Sequence, residues 1–362
     1  RIAAPKAWSN IWEKIELVNT PSRGPVADTI PKLLKRNSSE FGSSPAYRVK
    51  EFGIWRSWSW NQTEKEVESL SLGLLQCGVE TGDHIAVIGS NRPELYWSMV
   101  AAQSVGAIPV PVYQDSVPEE MIYILDHCNV KYIIAEDQEQ VDKVIELGKR
   151  LKSLKKTIFL DPRGLRKYGK SELMSFSDIQ KLGLAHKEKL LPDLLKRLEE
   201  QNAENTCVML YTSGTTGKPK GVVLSHKNIL AASYSSSQFD KLRQEDSVLA
   251  YLPMAWVGDF IFSIGQAYCT GFCVACPESA DTMQTDLREI GPTYFFAPPR
   301  YFEGLLTTVM IRMEDASSFK RLVFKNFMDF AKIVGPKILD KKPVSFFERL
   351  KYTFANFIIY AP

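Results

Sequence analysis

The chain has 362 residues, 44% hydrophobic and 24% charged, a composition typical of a globular protein large enough for an extensive core. Its formal net charge of +3 is too small to indicate a nucleic-acid-binding protein, and acidic stretches interrupt its basic runs. The most apolar stretch, residues 255–276, contains Asp259 and Gln266, so we interpret it as buried core and not as a membrane span.

Cysteine usage points to a reducing compartment, because six cysteines occur without a secretory signal. We therefore predict a cytoplasmic protein. Cys269, Cys273 and Cys276 follow a C-x3-C-x2-C spacing that can hold an iron–sulfur cluster. Their apolar, strand-like context favours buried free thiols instead, and we predict no metal ligands in this chain.

The first half of the chain alternates helices and strands. Residues 1–62 are predicted to be irregular, and an amphipathic helix is predicted to begin at Thr63. A strand "HIAVIGS" follows, then a helix capped by Asn91, then a strand "AIPVPVY". These apolar strands at βαβ spacing predict a parallel sheet covered on both faces. The pattern continues to Asp161, so residues 63–161 are predicted to form a first α/β half.

Residues 162–205 are polar and show little strand character, so they are predicted to form a charged connector. Residues 206–362 are predicted to form a second α/β half. Its strands are predicted at "TCVMLYTS", "GVVLS", "DSVLAYLP", "GFCVACP" and "PTYFFAPP", with Ser225 capping a helix after the second of these. The predicted fold class is therefore α/β, with two βα-rich halves and mostly parallel sheets.

The loop between the first two strands of the second half is suited to bind a polyphosphate. Glycines allow close backbone approach, while hydroxyls and ammonium groups donate to phosphate oxygens. The candidate binding residues are Thr212, Ser213, Gly214, Thr215, Thr216, Gly217, Lys218, Lys220 and Gly221. The loop is not a Walker A motif, because Thr212 stands at the first glycine position and Pro219 replaces the hydroxyl residue after the lysine.

The stretch "YTSGTTGKPKG" resembles the signature phosphate loop of the adenylate-forming superfamily, which includes acyl-CoA synthetases and luciferases. "GSNRPELYWSMVAAQSVGAIPVPVY", "EEMIYILDH" and "APPRYFE" resemble the long-chain fatty-acid–CoA ligase branch, and together these stretches extend from about Thr63 to Gly304. The resemblance implies the large N-terminal domain of such an enzyme. It implies ATP, Mg2+ and coenzyme A as cofactors or substrates, and a fatty acid as the carboxylate.

The implied reaction has two steps. The carboxylate attacks the α-phosphorus of ATP and releases pyrophosphate, and coenzyme A then displaces AMP to give a thioester. Positioning and charge stabilisation supply most of such catalysis. Lys220 matches the recurrent lysine of the family and is our candidate catalytic residue, whereas Lys218 matches a position that other members fill with uncharged residues.

The resemblance also indicates a substrate pocket about thirty residues beyond the loop, in "YLPMAWVGDF". Trp256 stands where relatives often have histidine, which puts a histidine-based role here in doubt, and Phe260 could line or gate an acyl tunnel. Ordinary aromatic core is the alternative for both residues. Asp259 needs hydrogen-bond partners if it is buried, and the sequence does not name them. His226 is interpreted as a first-turn helix residue.

The family pattern does not finish within this chain. We find no adenine-binding aromatic with its Thr-Glu, no ribose-binding aspartate and no C-terminal domain, so we expect an N-terminal fragment that binds ATP weakly and does not complete thioester formation. The tail carries Phe346, Leu350, Phe354 and Phe357 or Ile358 at helical spacing. This helix either faces a core or lies peripherally on a membrane surface. A ligase for another carboxylic acid and a non-catalytic relative remain alternatives for the function.

Overall fold

A computed structural model describes residues 27–169, 173–212 and 218–357. The chain forms two compact units, which divide between Phe295 and Phe296. The described residues of the first unit form three β-sheets and the helices that cover them, and the described part of the second unit is helical. Over these described ranges, no helix combines the length and apolarity needed to cross a membrane.

A five-stranded parallel sheet has the strand order β4-β3-β5-β6-β7. Its strands are β3 (His84–Ile88), β4 (Ile108–Val112), β5 (Tyr132–Ala135), β6 (Lys156–Phe159) and β7 (Leu173–Ser175). Strands β3, β4 and β5 are buried along almost their whole length, as expected for a parallel sheet covered on both faces. The expectation of mostly parallel sheets in an α/β fold is therefore confirmed.

A four-stranded sheet joins the beginning of the chain to its second half. Its order is β10-β11-β1-β2, formed by β1 (Pro45–Glu51), β2 (Ile54–Ser59), β10 (Ser247–Leu249) and β11 (Cys273–Cys276). The strands β10, β11 and β1 are parallel, and β1 and β2 are antiparallel. The expectation that residues 1–62 are irregular is wrong for residues 30–59. A two-residue turn at Phe52 and Gly53, both with positive φ, connects β1 and β2 as a hairpin.

The third sheet is the antiparallel hairpin of β8 (Thr206–Thr212) and β9 (Lys220–Ser225). β8 also packs beside β4. Its side chains alternate between two hydrophobic clusters, with Val208 and Leu210 in one and Met209 and Tyr211 in the other. The candidate phosphate loop therefore follows a strand that is packed on both faces.

The helices of the first unit cover these sheets. They are α1 (Ile30–Phe41), α2 (Trp60–Gln76), α3 (Pro93–Ser104), α4 (Pro118–His127), α5 (Gln138–Leu147), α6 (Phe176–Ala185), α7 (Lys187–Glu200), α8 (His226–Asp240), α9 (Val257–Asp259), α10 (Gln266–Thr270) and α11 (Met283–Ile290). Single turns of 3-10 helix occur at Gly148–Arg150 and Leu165–Lys167, and a π-helix at Phe260–Gly265. Ser225 caps α8 as predicted, through a capping box with Asn228.

Three local predictions are wrong. Helix α2 begins at Trp60 and not at Thr63, because the hydroxyl of Ser59 and the side chain of Gln62 form a capping box. Arg92, not Asn91, is the N-cap residue of α3, and it makes no side-chain capping bond. "PTYFFAPP" forms no described strand, since only Tyr294 makes an isolated bridge to Val248.

Residues 162–205 are more integrated than a connector. β7 extends the five-stranded sheet by pairing with β6, and helix α6 packs closely on α2. A Cβ atom at Gly183 would lie 2.4 Å from the backbone nitrogen of Gly73, so these two helices meet through glycine. The prediction of little strand character is wrong for Leu173–Ser175, a strand too short to produce a clear alternation.

The guanidinium of Arg92 connects the ends of the two larger sheets. Its Nε lies 2.9 Å from the carboxylate of Glu136, just after β5. Its Nη atoms donate to the carbonyls of Pro277 and Glu278, just after β11, at 2.9 and 2.7 Å. The carboxyl ends of these strands therefore meet, and ligands of α/β proteins gather at such edges.

The second unit contains α12 (Pro299–Glu314), α13 (Ser318–Leu339) and α14 (Phe346–Ala355). Helix α14 begins at a capping box formed by Ser345 and Glu348, which confirms the helical spacing predicted for the tail. Within this unit Phe346, Leu350 and Phe354 are 75%, 59% and 56% exposed. Core packing and membrane contact both remain predictions for this helix, and Ile358 lies outside the described residues.

Candidate active site

The hairpin holds the two ends of the candidate phosphate loop together. Thr212 is the register partner of Lys220, and Tyr211 is the partner of Gly221. Thr212, Lys218 and Lys220 are exposed. The candidate residues Ser213, Gly214, Thr215, Thr216 and Gly217 lie outside the described residues, so their positions are not tested.

Gly221 lies in a tight contact inside the hairpin. A Cβ atom there would lie 2.4 Å from the Cε of Met209 and 3.3 Å from the ring of Tyr211. The methionine end can move, whereas the tyrosine ring belongs to a buried strand. The absence of a side chain at Gly221 therefore serves the contact between β8 and β9.

Helix α4 contacts both ends of the loop. The hydroxyl of Tyr211 and Nδ1 of His127 lie 2.7 Å apart. Tyr123 stacks on His127, with ring centroids 5.6 Å apart, and the ammonium of Lys218 lies 5.4 Å from the centre of the Tyr123 ring. Lys218 therefore makes a cation–π contact with α4. Lys220 stands at the end of the hairpin and forms no ion pair with the parts of the chain that the structure describes.

The two predicted pocket aromatics differ in exposure. Trp256 is 37% exposed, whereas Phe260 is completely buried in the main hydrophobic cluster. Phe260 therefore presents no surface to a ligand in this structure, and a role in the acyl pocket would require its side chain to move. Phe260 is the first residue of the π-helix. π-Helices are rare in proteins, and those that occur are often found at functional sites. The pocket roles of both residues stay predictions.

Asp259 is buried among neutral hydrogen-bond donors. The hydroxyl of Tyr96 donates to one carboxylate oxygen at 2.8 Å, and the hydroxyl of Ser263 donates to the other at 3.0 Å. The side-chain amide of Asn91 donates to that second oxygen at 3.2 Å. Burial raises the pKa of Asp259 to about 7, although these three hydrogen bonds lower it.

His226 is a structural residue, in agreement with its interpretation from the sequence. It is buried at the start of α8, and its Nδ1 accepts a hydrogen bond from the backbone N–H of Ile30 at 3.2 Å. Burial lowers the pKa of His226 to about 4, so the ring is neutral near pH 7. It fastens the start of α1 to α8.

The sequence did not identify the residues that surround Asp259 or those that support the hairpin β8–β9. Asn91, Tyr96 and Ser263 surround Asp259, and a carboxylate in an apolar run was the signal that such partners must exist. Tyr123 and His127 support the hairpin from helix α4. Their only sequence signal was their four-residue spacing, which places both side chains on one helix face.

The described residues provide no metal site of their own. No group of three or more His, Cys, Asp or Glu side chains among residues 27–169, 173–212 and 218–357 could hold a metal ion. Cys273 and Cys276 are buried in β11, and burial raises the pKa of both thiols. Magnesium therefore enters no step that we derive.

The fold is that of the N-terminal domain of adenylate-forming enzymes. A long-chain-fatty-acid–CoA ligase (FadD1) from Archaeoglobus fulgidus superposes with a TM-score of 0.65 at 19% identity, over 82% of this chain and 56% of that one. A luciferase-like enzyme from the mealworm Zophobas morio gives a TM-score of 0.62 at 16% identity, over 78% of this chain and 63% of that one. At these identities the likeness shows the fold alone.

The family model described as "AMP-binding enzyme" matches residues 34–350, and the chain belongs to this family. Among curated proteins it is 27% identical over 352 residues to the long-chain-fatty-acid–CoA ligase ACSBG2 of Rattus norvegicus, covering 94% of this chain and 51% of that protein. The chain thus spans about half the length of the curated relatives it matches.

Proposed function

We propose that the protein carrying this chain activates a long-chain fatty acid with ATP and transfers the acyl group to coenzyme A. The support is the combination of family membership with relatives named as long-chain fatty-acid–CoA ligases. The structural observation that carries it is the hairpin β8–β9, which pairs Thr212 with Lys220 at the ends of a loop rich in glycine and hydroxyl residues.

In this proposal Lys220 binds the triphosphate of ATP. Its exposed ammonium neutralises charge on the phosphate oxygens while the fatty carboxylate attacks the α-phosphorus and pyrophosphate leaves. The hydroxyl of Thr212, on the opposite strand, donates a hydrogen bond to a phosphate oxygen. Lys218 has a smaller role, because its ammonium already makes a cation–π contact with the ring of Tyr123. The residues of the chain bind and orient, and the reaction requires no covalent intermediate with the protein.

The transfer to coenzyme A completes the proposed reaction. The thiol of coenzyme A attacks the acyl carbon of the adenylate, and AMP leaves with the electrons of the broken bond. We assign no residue of this chain to that step, since the matched relatives are about twice as long. We expect the isolated 362 residues to bind ATP weakly and to make no acyl-CoA.

The test is Lys220→Ala in the protein expressed from its complete coding sequence. Removal of a donor aimed at developing charge costs about 10²- to 10³-fold in rate. We expect that loss in palmitate-dependent ATP–pyrophosphate exchange. Lys227→Ala is the matched control, because Lys227 lies on the helix after the hairpin and pairs with Glu204 at 2.7 Å on the surface. Equal rates for Lys220→Ala and the wild-type enzyme would refute the proposed role.

A ligase for another carboxylic acid is the second candidate function. It is favoured by the complete burial of Phe260, which leaves no open acyl tunnel at that position. Exchange measured with palmitate, octanoate and an aryl acid separates the two candidates. Activity confined to the aryl acid would replace the fatty-acid assignment and leave the adenylate-forming step in place. Absence of exchange with every acid would indicate a non-catalytic relative.

A further inference from the structure

The segment Leu252–Asp259 is held at both of its ends by one side chain. The amide nitrogen of Asn91 donates to the carbonyl of Leu252 at 2.9 Å and lies 3.2 Å from the carboxylate of Asp259. The same nitrogen lies 2.7 Å from the hydroxyl of Tyr96, which in turn donates to Asp259. Hydrogen bonds from Asn91 and Tyr96, at the beginning of helix α3, therefore hold the two ends of the segment close together in a loop.

The tip of this loop is also fixed. The backbone N–H of Trp256 donates to the carbonyl of Pro253 at 2.9 Å. The indole of Trp256 lies over Gly258, where a Cβ atom would come within 2.1 Å of the ring. The orientation of Trp256 therefore depends on the backbone course between Leu252 and Asp259.

Asp259 is suited to this task because a carboxylate accepts several hydrogen bonds at once. Two oxygens receive the donors of Tyr96, Asn91 and Ser263; the first two come from the start of helix α3, and Ser263 follows Asp259 in its own segment. No cation lies within hydrogen-bond distance of Asp259 among the described residues. A buried carboxyl group without a cation is unfavourable for stability whenever it ionises, so its presence here points to a task other than stabilisation.

We infer that Asp259 is a positioning residue for the carboxylic-acid subsite, where it holds the loop Leu252–Asp259 so that Trp256 faces the acid substrate. The inference rests on the proposed function and on the sequence prediction that Trp256 lines the acyl pocket. It extends that function by naming Asn91, Tyr96 and Asp259 as the groups that set the shape of the subsite. None of the three needs to touch the substrate.

The test compares Asp259→Asn with Asp286→Asn in the protein expressed from its complete coding sequence. Asp286 is the matched control, because it is also completely buried but pairs with Lys50 at 2.9 Å. We expect Asp259→Asn to raise the KM for the acid about five- to twentyfold and to leave the KM for ATP within about twofold, since one or two charge-assisted hydrogen bonds are lost. We expect Asp286→Asn to leave both KM values within about twofold.

Tyr96→Phe provides a second variant that removes one hydroxyl and keeps the ring. We expect it to raise the KM for the acid about two- to fivefold, because one hydrogen bond to the carboxylate is lost. Hydrogen exchange of the amides in residues 252–263, corrected for the global stability of each variant, should accelerate in both variants and not in Asp286→Asn. Unchanged exchange in this segment, or an equal rise in the KM for ATP, would overturn the inference.

The failure of the inference can be told apart from failure of the proposed function. A wild-type enzyme that is active with an acid, together with an Asp259→Asn variant whose KM for that acid is unchanged, overturns the inference alone. A wild-type enzyme that releases no pyrophosphate with any acid overturns both.

Discussion

Two buried carboxylates in the first unit have opposite environments. Asp286, on helix α11, receives the ammonium of Lys50 at 2.9 Å, the hydroxyl of Thr282 at 2.7 Å and the backbone N–H of Glu278 at 2.9 Å. Among the described residues, Asp259 receives hydroxyl and amide donors and no cation. Burial raises the pKa of Asp286, but its hydrogen bonds outweigh burial and the pKa lies below its ordinary value. The pKa of Asp259 lies at about 7.

The difference separates a structural carboxylate from a candidate functional one. Asp286 and Lys50 join helix α11 to strand β1, two elements that are distant in sequence. The charges of the two residues compensate each other. Asp259 joins the segment that carries Trp256 to helix α3, and no compensating charge lies beside it in the part of the chain that the structure describes. Strongly perturbed carboxylates cluster at functional sites, although ion-pair networks also perturb pKa values. The contrast with Asp286 is the reason to treat Asp259 as the candidate functional carboxylate.

The largest effect that tests this contrast is the loss of stability in Asp286→Asn. Removal of one partner of a buried ion pair costs about 3–5 kcal/mol. Lys50 keeps a second partner, Glu289, at 2.6 Å, so we expect a loss near the lower limit, about 3 kcal/mol at pH 7. Urea unfolding followed by tryptophan fluorescence measures it. The same experiment on Asp259→Asn should show a smaller loss, about 1 kcal/mol, because no cation is left unpaired.

The pH dependence of the two variants provides the second test. A folded pKa of about 7 lies above the ordinary value of Asp, so the folded state holds a proton on Asp259 that the unfolded state releases. The wild type should therefore lose stability relative to Asp259→Asn as the pH rises, by about 2 kcal/mol between pH 5.5 and 8. The neighbouring hydroxyl of Tyr96 and thiol of Cys276 have pKa values that burial raises, and they stay neutral over this range.

Asp286→Asn is the control for this titration. The folded pKa of Asp286 is lowered, so its contribution is complete above the ordinary pKa of Asp and is lost only as the pH falls through the folded value. The stability difference between the wild type and Asp286→Asn should therefore be constant between pH 5.5 and 8. A slope there, or a flat line for Asp259→Asn, would show that the environments of the two carboxylates are not opposite.

The sequence predicted the parallel sheets because their strands are short apolar runs between helices, a signal that depends on local order alone. It also located the hairpin strands and the cap at Ser225, for the same reason. It missed the strands β1 and β2, whose aromatic and charged residues obscure the alternation that becomes clear only when the two strands pair. The pairing of β1 with β11 joins residues more than two hundred positions apart, which no local pattern encodes.

The predictions for the candidate site also divide into those that depend on a contiguous motif and those that depend on tertiary packing. Lys220 and Thr212 could be named because the motif is contiguous, and Asp259 could be recognised as needing partners. Asn91 was assigned to a helix cap, since asparagine is a preferred N-cap residue and Pro93 suits the first turn of a helix. Its amide instead lies against Asp259, and that role is a product of tertiary packing. Whether Trp256 and Phe260 line an acyl pocket stays a prediction.

The smallest expected effect concerns His226, which is also buried and titratable. Its contribution to stability should depend on pH with the opposite sign to that of Asp259. Burial lowers the pKa of His226 to about 4, so the folded ring stays neutral while the unfolded ring gains a proton below its ordinary pKa. Its contribution is complete above about pH 6.5 and is lost as the pH falls, by about 1 kcal/mol between pH 7.5 and 5.5. His226→Asn is the comparison variant, because its amide oxygen can accept the N–H of Ile30 and does not titrate. Urea unfolding of both proteins across this range should show the wild type losing stability relative to the variant towards acid, and a loss towards alkali would mean that the ring is charged in the folded state.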